Sequence, residues 1–127
     1  MIEKIFTDKA PAAIGPYSQA IKSGNTVYTS GQIALSSESG VLVGENVKEQ
    51  TEQVMANLSA VLSAAGASLD SIVKTTCFLS DMVDFADFNE VYSKYITSAP
   101  ARSCIAAKAL PKGALVEVEA IAVIDAE

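Results

Sequence analysis

The sequence has no histidine, no tryptophan and only two cysteines. Without histidine, the chain cannot build a Ser-His-Asp triad, a Cys-His pair, a histidine-ligated metal site or a ribonuclease site with paired histidines. Cys77, Cys104 and the scattered carboxylates do not have metal-ligand spacing, so we expect no metal. The groups left for catalysis are carboxylate, arginine, tyrosine, serine, thiol and backbone.

Long apolar runs are also missing. Half of the residues are apolar, but no run approaches the roughly 20 residues that a membrane-spanning helix needs. The first six residues lack the basic start and long apolar region of a secretory signal. In a chain without such a leader, two cysteines are more typical of reduced thiols than of a disulfide. These features predict a soluble, cytoplasmic protein.

Positive charge is scarce. Nine Lys and Arg stand against 15 Asp and Glu, which gives a net charge of −6, and the basic residues are dispersed along the chain. Phosphate backbones are bound by clustered Lys and Arg. The charge therefore argues against a nucleic-acid partner.

The length of 127 residues fits one domain, 1–127, with one hydrophobic core. Residues 47–65 carry apolar side chains at helical spacing, with Asn46 as the predicted N-cap and Gly66 as the stop. A second helix is predicted from Asp84, and residues 97–100 end it. Its buried face is predicted to carry Phe85, Phe88, Val91, Tyr92, Tyr95 and Ile96. Alternating or β-branched segments predict strands at 17–21, 26–30, 71–79, 102–108 and 115–124, with 3–6 as an optional further strand. The order β-β-α-β-α-β-β indicates an α+β fold, a sheet with both helices on one face.

Arg102 begins an apolar segment after Pro100 and Ala101, an unusual place for a side chain that is always charged. A guanidinium can hold the carboxylate or phosphate of a ligand through two parallel hydrogen bonds. The alternative is a salt bridge within the protein, to Glu117 or Glu119. The residues alone leave both interpretations open.

Glu117 and Glu119 are two residues apart in the last predicted strand, so their side chains point to the same face. Ile121 and Val123 share that face, which predicts that part of it is buried. A buried carboxylate has a raised pKa and can act as a general base or orient a water molecule. The alternative is a solvated strand end without a role.

Cys104 follows Arg102 by two residues and should share its face. A thiol nucleophile needs a base or strongly electropositive surroundings to ionise. Arg102 could lower the pKa of the thiol, but no histidine can take the proton. We therefore favour a packing role for Cys104 over a nucleophile, and a core position for Cys77.

Four other residues are candidates for lining a site. Tyr17 follows the proline-rich loop 11–16 and could stack on a ligand or donate its hydroxyl. Ser30 and Gly31 end a strand, where hydroxyl and backbone groups can face a pocket. Asn89 lies among apolar residues of the second helix and could bind a loop or a ligand. Each also has a purely structural interpretation.

Together these segments resemble the RidA/YjgF family of reactive intermediate (enamine/imine) deaminases, and the resemblance spans nearly the whole chain. The segments that carry it are Ala-Ala-Ile-Gly-Pro-Tyr-Ser-Gln-Ala (12–20), Thr-Ser-Gly-Gln-Ile (29–33), Ile-Val-Lys-Thr-Thr (72–76), Phe-Asn-Glu-Val-Tyr (88–92), Pro-Ala-Arg-Ser-Cys-Ile (100–105), Leu-Pro-Lys-Gly (110–113) and Val-Glu-Val-Glu-Ala (116–120). The combination of 100–105 with 116–120, at a fixed spacing, is the most specific part.

The resemblance implies a chorismate-mutase-like α+β fold and a homotrimer with its active sites between subunits. It implies hydrolysis of 2-aminoacrylate and 2-iminobutyrate to 2-oxo acids and ammonia, without a cofactor. Arg102 would bind the substrate carboxylate and Glu117 would position or activate water. The pocket would be completed by Tyr17, Ser30, Gly31, Cys104 and Asn89.

Two other functions remain as alternatives. The first is a non-catalytic, regulatory trimer that binds small carboxylates in the same cleft. The second is an endoribonuclease or translation inhibitor, a function that an older naming tradition attaches to this family. The acidic charge and the missing histidines count against the second alternative.

Overall fold

Six strands form one mixed sheet, and two helices cover one of its faces, in a computed structural model that describes residues 1–125. The strands are Ile2–Ile5 (β1), Ala20–Ser23 (β2), Thr26–Thr29 (β3), Ile72–Leu79 (β4), Ala101–Ala106 (β5) and Val116–Val123 (β6), and the helices are Val47–Ala64 (α1) and Phe85–Tyr95 (α2). The predicted α+β class and element order are confirmed, and the optional strand at the N-terminus is present.

The order of strands across the sheet is β1-β2-β3-β6-β4-β5. The last strand, β6, thus lies inside the sheet, antiparallel to both β3 and β4. β5 runs parallel to β4, which the crossover through α2 makes possible, and it forms one edge of the sheet. The strand that carries the two predicted acids is therefore two positions from the strand that carries Arg102.

The two faces of β6 differ in chemistry because successive side chains of a strand point to opposite sides. The side chains that point to the helices are buried: Val116, Val118, Ala120 and Ala122. The side chains of the other face are half-buried or exposed: Glu117, Glu119, Ile121 and Val123. Both acids thus project from the face that the helices leave uncovered.

Helix α1 begins and ends where the sequence predicts. The side chain of Asn46 accepts a hydrogen bond from the Glu49 N–H at 2.9 Å, which satisfies one of the free donors of the first turn. Gly66 follows the last turn with a φ of 84°, a left-handed conformation that glycine adopts without steric cost.

Helix α2 agrees with the prediction at its start and differs at its end. It begins directly after Asp84, and Phe88, Val91 and Tyr92 are buried on its inner side. Tyr95 was expected on that side, which is wrong. Its side chain lies at the surface, where the phenol donates a hydrogen bond to Glu52 of α1.

The predicted strand at 17–21 begins three residues later, at Ala20. Tyr17 is part of a tight turn instead, in which its N–H donates to the Gly15 carbonyl at 2.9 Å. Gly15 has a φ of 126° there, a conformation that favours glycine. Tyr17 therefore belongs to the loop that precedes β2.

The predicted strand at 102–108 is also displaced: it begins at Ala101 and ends at Ala106.

Candidate active site

A cleft of about 800 Å³ opens beside β6, between the loop before β2 and the segment after β3. Four of the predicted site residues line it: Tyr17, Ser30, Gly31 and Glu117. The remaining lining residues are Pro11, Ala12, Ile14, Gln19, Thr29, Gln32, Ile33, Leu35, Pro111, Lys112 and Glu119. The cleft joins apolar walls with two carboxylates, a combination suited to a small polar ligand.

Glu117 is half-buried in this cleft, and its pKa is raised, first by burial and second by the negative charge of Glu119. Within residues 1–125, its carboxylate makes no ion pair and no hydrogen bond. Its oxygens are thus available to a water molecule or a ligand. A carboxylate with a raised pKa is also a stronger proton acceptor when it is ionised.

The Ser30–Gly31 segment beside Glu117 is held by hydrogen bonds on both sides. The Ser30 N–H donates to the Gln19 carbonyl at 2.9 Å, and the Ser30 hydroxyl donates to the Ser18 carbonyl at 2.6 Å. After Gly31, Gln32 and Val118 exchange two backbone hydrogen bonds of 2.8 and 3.1 Å. The backbone at Gly31 is therefore fixed relative to β6.

The loop that carries Tyr17 is fixed by the buried side chain of Gln19. Its Oε1 accepts a hydrogen bond from the Thr7 N–H at 2.7 Å. Its Nε2 donates to the carbonyls of Thr7 and Pro11 at 3.0 and 2.8 Å. One amide thus ties the segment between β1 and β2 to the cleft wall, which the half-exposed Tyr17 also lines.

Arg102 lies elsewhere, on the exposed edge strand β5 and against α2. Its Nη1 donates to Oδ1 of Asn89 at 2.7 Å. Its guanidinium carbon is 5.0 Å from the centre of the Tyr92 ring and 5.5 Å from that of Phe85, which is cation–π distance. Among residues 1–125 it forms no ion pair. The salt bridge within the chain that was one interpretation of Arg102 is thus not formed.

Arg102 and Glu117 are on opposite faces of the sheet. Arg102 pairs with Thr75 of β4, whose hydroxyl lies 2.8 Å from that of Tyr92 on the helix side. Glu117 pairs with Phe78, three residues further along β4. Because paired residues point to the same side and an odd step along a strand changes sides, the two functional groups cannot meet within one chain.

Cys104 shares the helix-side face with Arg102, as the spacing predicts. It is half-buried, and burial raises the pKa of its thiol, against a smaller lowering by Arg102. Cys77 is fully buried, and burial raises its pKa to about 12. Both thiols are free and protonated at neutral pH, which favours the packing role over a nucleophile.

The structure adds residues that the sequence did not single out. Phe85 and Tyr92 flank the Arg102 guanidinium, although the helical spacing indicated only that they are apolar contacts. Lys112 lines the cleft with Glu117 and has a left-handed backbone, with a φ of 58°. The signal for Lys112 was its place in the Pro-Lys-Gly turn directly before β6.

A family model described as "Endoribonuclease L-PSP" matches residues 7–124. The chain belongs to this family, RidA/YjgF. Mouse 2-iminobutanoate/2-iminopropanoate deaminase is 51% identical over 120 residues, which cover 94% of this chain and 89% of the mouse protein. Reactive Intermediate Deaminase A, chloroplastic, of Arabidopsis thaliana is 50% identical over 123 residues, 96% of this chain and 66% of that protein.

Solved structures of the RidA/YjgF family have the same fold. The structure of E. coli TdcF with bound serine has a TM-score of 0.92 and 40% sequence identity, and the match covers 97% of this chain and 99% of that one. The fold and the family that the sequence motifs indicated are thus confirmed. Reactive-intermediate deaminases are among the relatives of this chain.

Residues 1–125 bear on the expected absence of a membrane span and of a metal site. No helix there has the length and apolar character to cross a membrane, and no three side chains of the usual acidic or thiol ligands are grouped for a metal ion. The relative from Arabidopsis is named as chloroplastic, so members of the RidA/YjgF family occupy more than one compartment. The cytoplasmic location of this chain stays a prediction.

Proposed function

We propose that this chain hydrolyses the reactive enamine 2-aminoacrylate and the reactive imine 2-iminobutyrate to 2-oxo acids and ammonia. The observation that carries the proposal is the half-buried, unpaired carboxylate of Glu117 in a cleft, together with a pre-oriented Arg102. The names of the mouse and Arabidopsis relatives support the same reaction class.

Arg102 holds the carboxylate of the substrate. A guanidinium fixed by Asn89 and by two aromatic rings loses little conformational freedom when it binds a second group. It keeps free N–H donors for a carboxylate, which it can bind with two parallel hydrogen bonds. The serine bound to TdcF is likewise a small 2-amino acid with a carboxylate.

The site is built from two copies of the chain. Since Arg102 and Glu117 are on opposite faces of one sheet, one subunit contributes the cleft with Glu117 and its neighbour contributes Arg102, Asn89 and Cys104. A homotrimer closes this arrangement with three equivalent sites. Apolar side chains on the uncovered sheet face support such packing, with Tyr28, Ile105 and Val123 exposed by 48, 52 and 42% in the single chain.

Glu117 acts as the general base for the attacking water. A proton from solvent added to the β-carbon of the enamine gives the protonated imine directly, and 2-iminobutyrate reaches the same form when its nitrogen takes up a proton. Ionised Glu117 takes a proton as the oxygen of water bonds to the electrophilic carbon, which produces a carbinolamine. Glu117 then returns the proton to nitrogen. As the carbon–nitrogen bond breaks, the Glu117 carboxylate takes the hydroxyl proton of the carbinolamine and passes it to solvent, and ammonia and the 2-oxo acid leave. Hydrolysis of such imines is already feasible in water, so positioning and one carboxylate suffice.

The experiment couples the protein to a threonine dehydratase and follows the loss of 2-iminobutyrate. We expect the wild type to exceed buffer. We expect Arg102→Ala and Glu117→Gln to lose activity by about two orders of magnitude or more, since each removes a group that acts in the transition state. Arg102→Lys is the matched control. Lysine keeps the positive charge but cannot make two parallel hydrogen bonds to the substrate carboxylate, so we expect this variant to retain little activity.

Other outcomes would change the assignment. If wild type does no better than buffer but 2-oxo acids raise its Tm, the chain is a carboxylate-binding module. If Arg102→Ala is as fast as the wild type, the carboxylate clamp is wrong. RNA cleavage that survives rigorous purification and disappears in Arg102→Ala would support the endoribonuclease in the family description, against the net charge of −6.

A further inference from the structure

The carboxylate of Glu117 lies directly against the backbone of Gly31. A Cβ built on Gly31 would be 2.8 Å from Cδ and 3.0 Å from Cγ of Glu117, and closer still to Oε2. Non-bonded carbon atoms normally keep about 3.5 Å or more between them. Position 31 therefore has no room for a side chain while Glu117 keeps its conformation.

This close approach, and not the backbone conformation, is what requires glycine at position 31. The φ of Gly31 is not positive, so an alanine at this position could adopt the same backbone angles. Gly40 is the opposite case. It has a φ of 70°, but a Cβ there would have no neighbour within 4 Å. Glycine is thus required at position 31 for space and at position 40 for its backbone conformation.

If position 31 carried a side chain, the Glu117 carboxylate would move away and the backbone around position 31 would stay in place. The hydrogen bonds of Ser30 to Gln19 and Ser18, and those between Gln32 and Val118, hold the segment on both sides of Gly31. Glu117, in contrast, is a flexible side chain whose end makes no hydrogen bond within residues 1–125. Moving that end costs the fold little, but it moves the group that would act on water.

We propose that Gly31 is a positioning residue, which sets the place of the Glu117 carboxylate by having no side chain. The inference rests on the proposed function in one respect, that Glu117 acts on the attacking water. Gly31→Ala should then preserve the folded protein and displace the reacting group. A displacement of about 1 Å can lower the rate of such a reaction about 100-fold.

The kinetic test compares Gly31→Ala, Glu117→Asp and the double variant in the coupled imine assay. We expect Gly31→Ala alone to lower kcat by about 10- to 100-fold. In the Glu117→Asp background the same substitution should cost much less, because the shorter side chain has already withdrawn from Gly31. If the added methyl group merely blocked the substrate, the two losses would multiply, and that result would overturn the inference.

Gly40→Ala is the matched control. It should lower the Tm through its left-handed backbone and leave kcat unchanged, whereas Gly31→Ala should keep a Tm near that of the wild type and lose kcat. A Gly31→Ala protein that melts well below Gly40→Ala would make position 31 a determinant of the fold and would contradict the positioning role.

A second readout needs no substrate. A carboxyl-carbon NMR titration of Glu117 should give a different pKa in Gly31→Ala than in the wild type, since the methyl group moves the carboxylate out of its half-buried position. An unchanged pKa would refute the positioning role even if imines are hydrolysed. Failure of the wild type to hydrolyse imines would instead refute the proposed function and leave the titration result valid.

Discussion

Arg102 is held in place by three side chains of α2 and not by an acidic partner. Asn89 accepts its hydrogen bond at 2.7 Å, and the rings of Phe85 and Tyr92 lie at 5.5 and 5.0 Å from its guanidinium carbon. An acidic partner would neutralise the charge and compete with an anionic substrate. A neutral amide and two aromatic faces orient the guanidinium and leave its full charge for the substrate carboxylate of the proposed reaction.

Asn89 can be tested as a residue that orients Arg102. We expect Asn89→Ala to raise the KM for 2-iminobutyrate by about 2- to 12-fold, the value of one net hydrogen bond, and to change kcat less. Asn89→Asp should raise KM further, because the new carboxylate competes with that of the substrate for the guanidinium. The comparison uses initial rates over a range of substrate concentrations, and a KM like that of the wild type in both variants would remove Asn89 from the site.

The raised pKa of Glu117 makes a prediction about pH. In the proposed reaction the ionised form of Glu117 accepts the proton, so activity should fall as the pH falls through the pKa of Glu117. Glu119 raises that pKa through its negative charge, as the second cause after burial. Glu119→Gln removes the charge, lowers the pKa of Glu117, and should move the acid limb of the kcat profile to lower pH. Glu3→Gln removes one negative charge on β1 and is the control, for which we expect no movement. If the acid limb of the kcat profile stays at the same pH in Glu119→Gln, the limb reports the titration of a group other than Glu117.

At the scale of the elements, the sequence correctly predicted the features that are set by neighbouring residues in the chain, such as helix ends and the alternation of a strand. The helix α1 with its cap at Asn46 and its stop at Gly66 is a local pattern, and both ends are confirmed. The alternation of Glu117 and Glu119 with buried valines is local as well. The start of β2 was misplaced because a hydrogen-bonded turn at Gly15 takes Tyr17 out of the strand, and β-propensity does not detect such a turn.

The relation between Arg102 and Glu117 could not be read from the sequence for a different reason. Their separation in the chain does not tell which strands lie between them, and pairing partners are set by long-range packing. Here β4 lies between β5 and β6, and the odd offset between Thr75 and Phe78 puts the two groups on opposite faces. That Arg102 and Glu117 belong to one site is implied by the resemblance and stays a prediction, while the pairing register decides that one chain cannot bring them together.

At the scale of the whole molecule, several features of the single chain require a partner surface under the proposed function. Nearly all of β5 is exposed, although it is an apolar strand. The face of the sheet opposite the helices carries Tyr28, Ile105 and Val123 beside the cleft with Glu117. Exposed edge strands and apolar sheet faces are places where chains associate. Packing of the β5 edge of one copy onto this face of the next would bring the Arg102 of the first copy towards the cleft of the second.

Subunit mixing tests this arrangement directly. Arg102→Ala and Glu117→Gln subunits are each expected to be inactive alone. If every site takes Arg102 from one copy and Glu117 from the next, a mixed trimer of the two variants contains one intact site of three. Random mixing in equal amounts should therefore restore about a quarter of the wild-type activity.

The control mixes Arg102→Ala subunits with subunits that carry both substitutions, which can form no intact site. Co-expression with two different tags allows the mixed trimers to be isolated before the imine assay. Recovered activity in the first mixture and none in the second would place the site between chains. No recovery in isolated mixed trimers would mean that the two groups do not act in one site, because the sheet register excludes their meeting within a single chain.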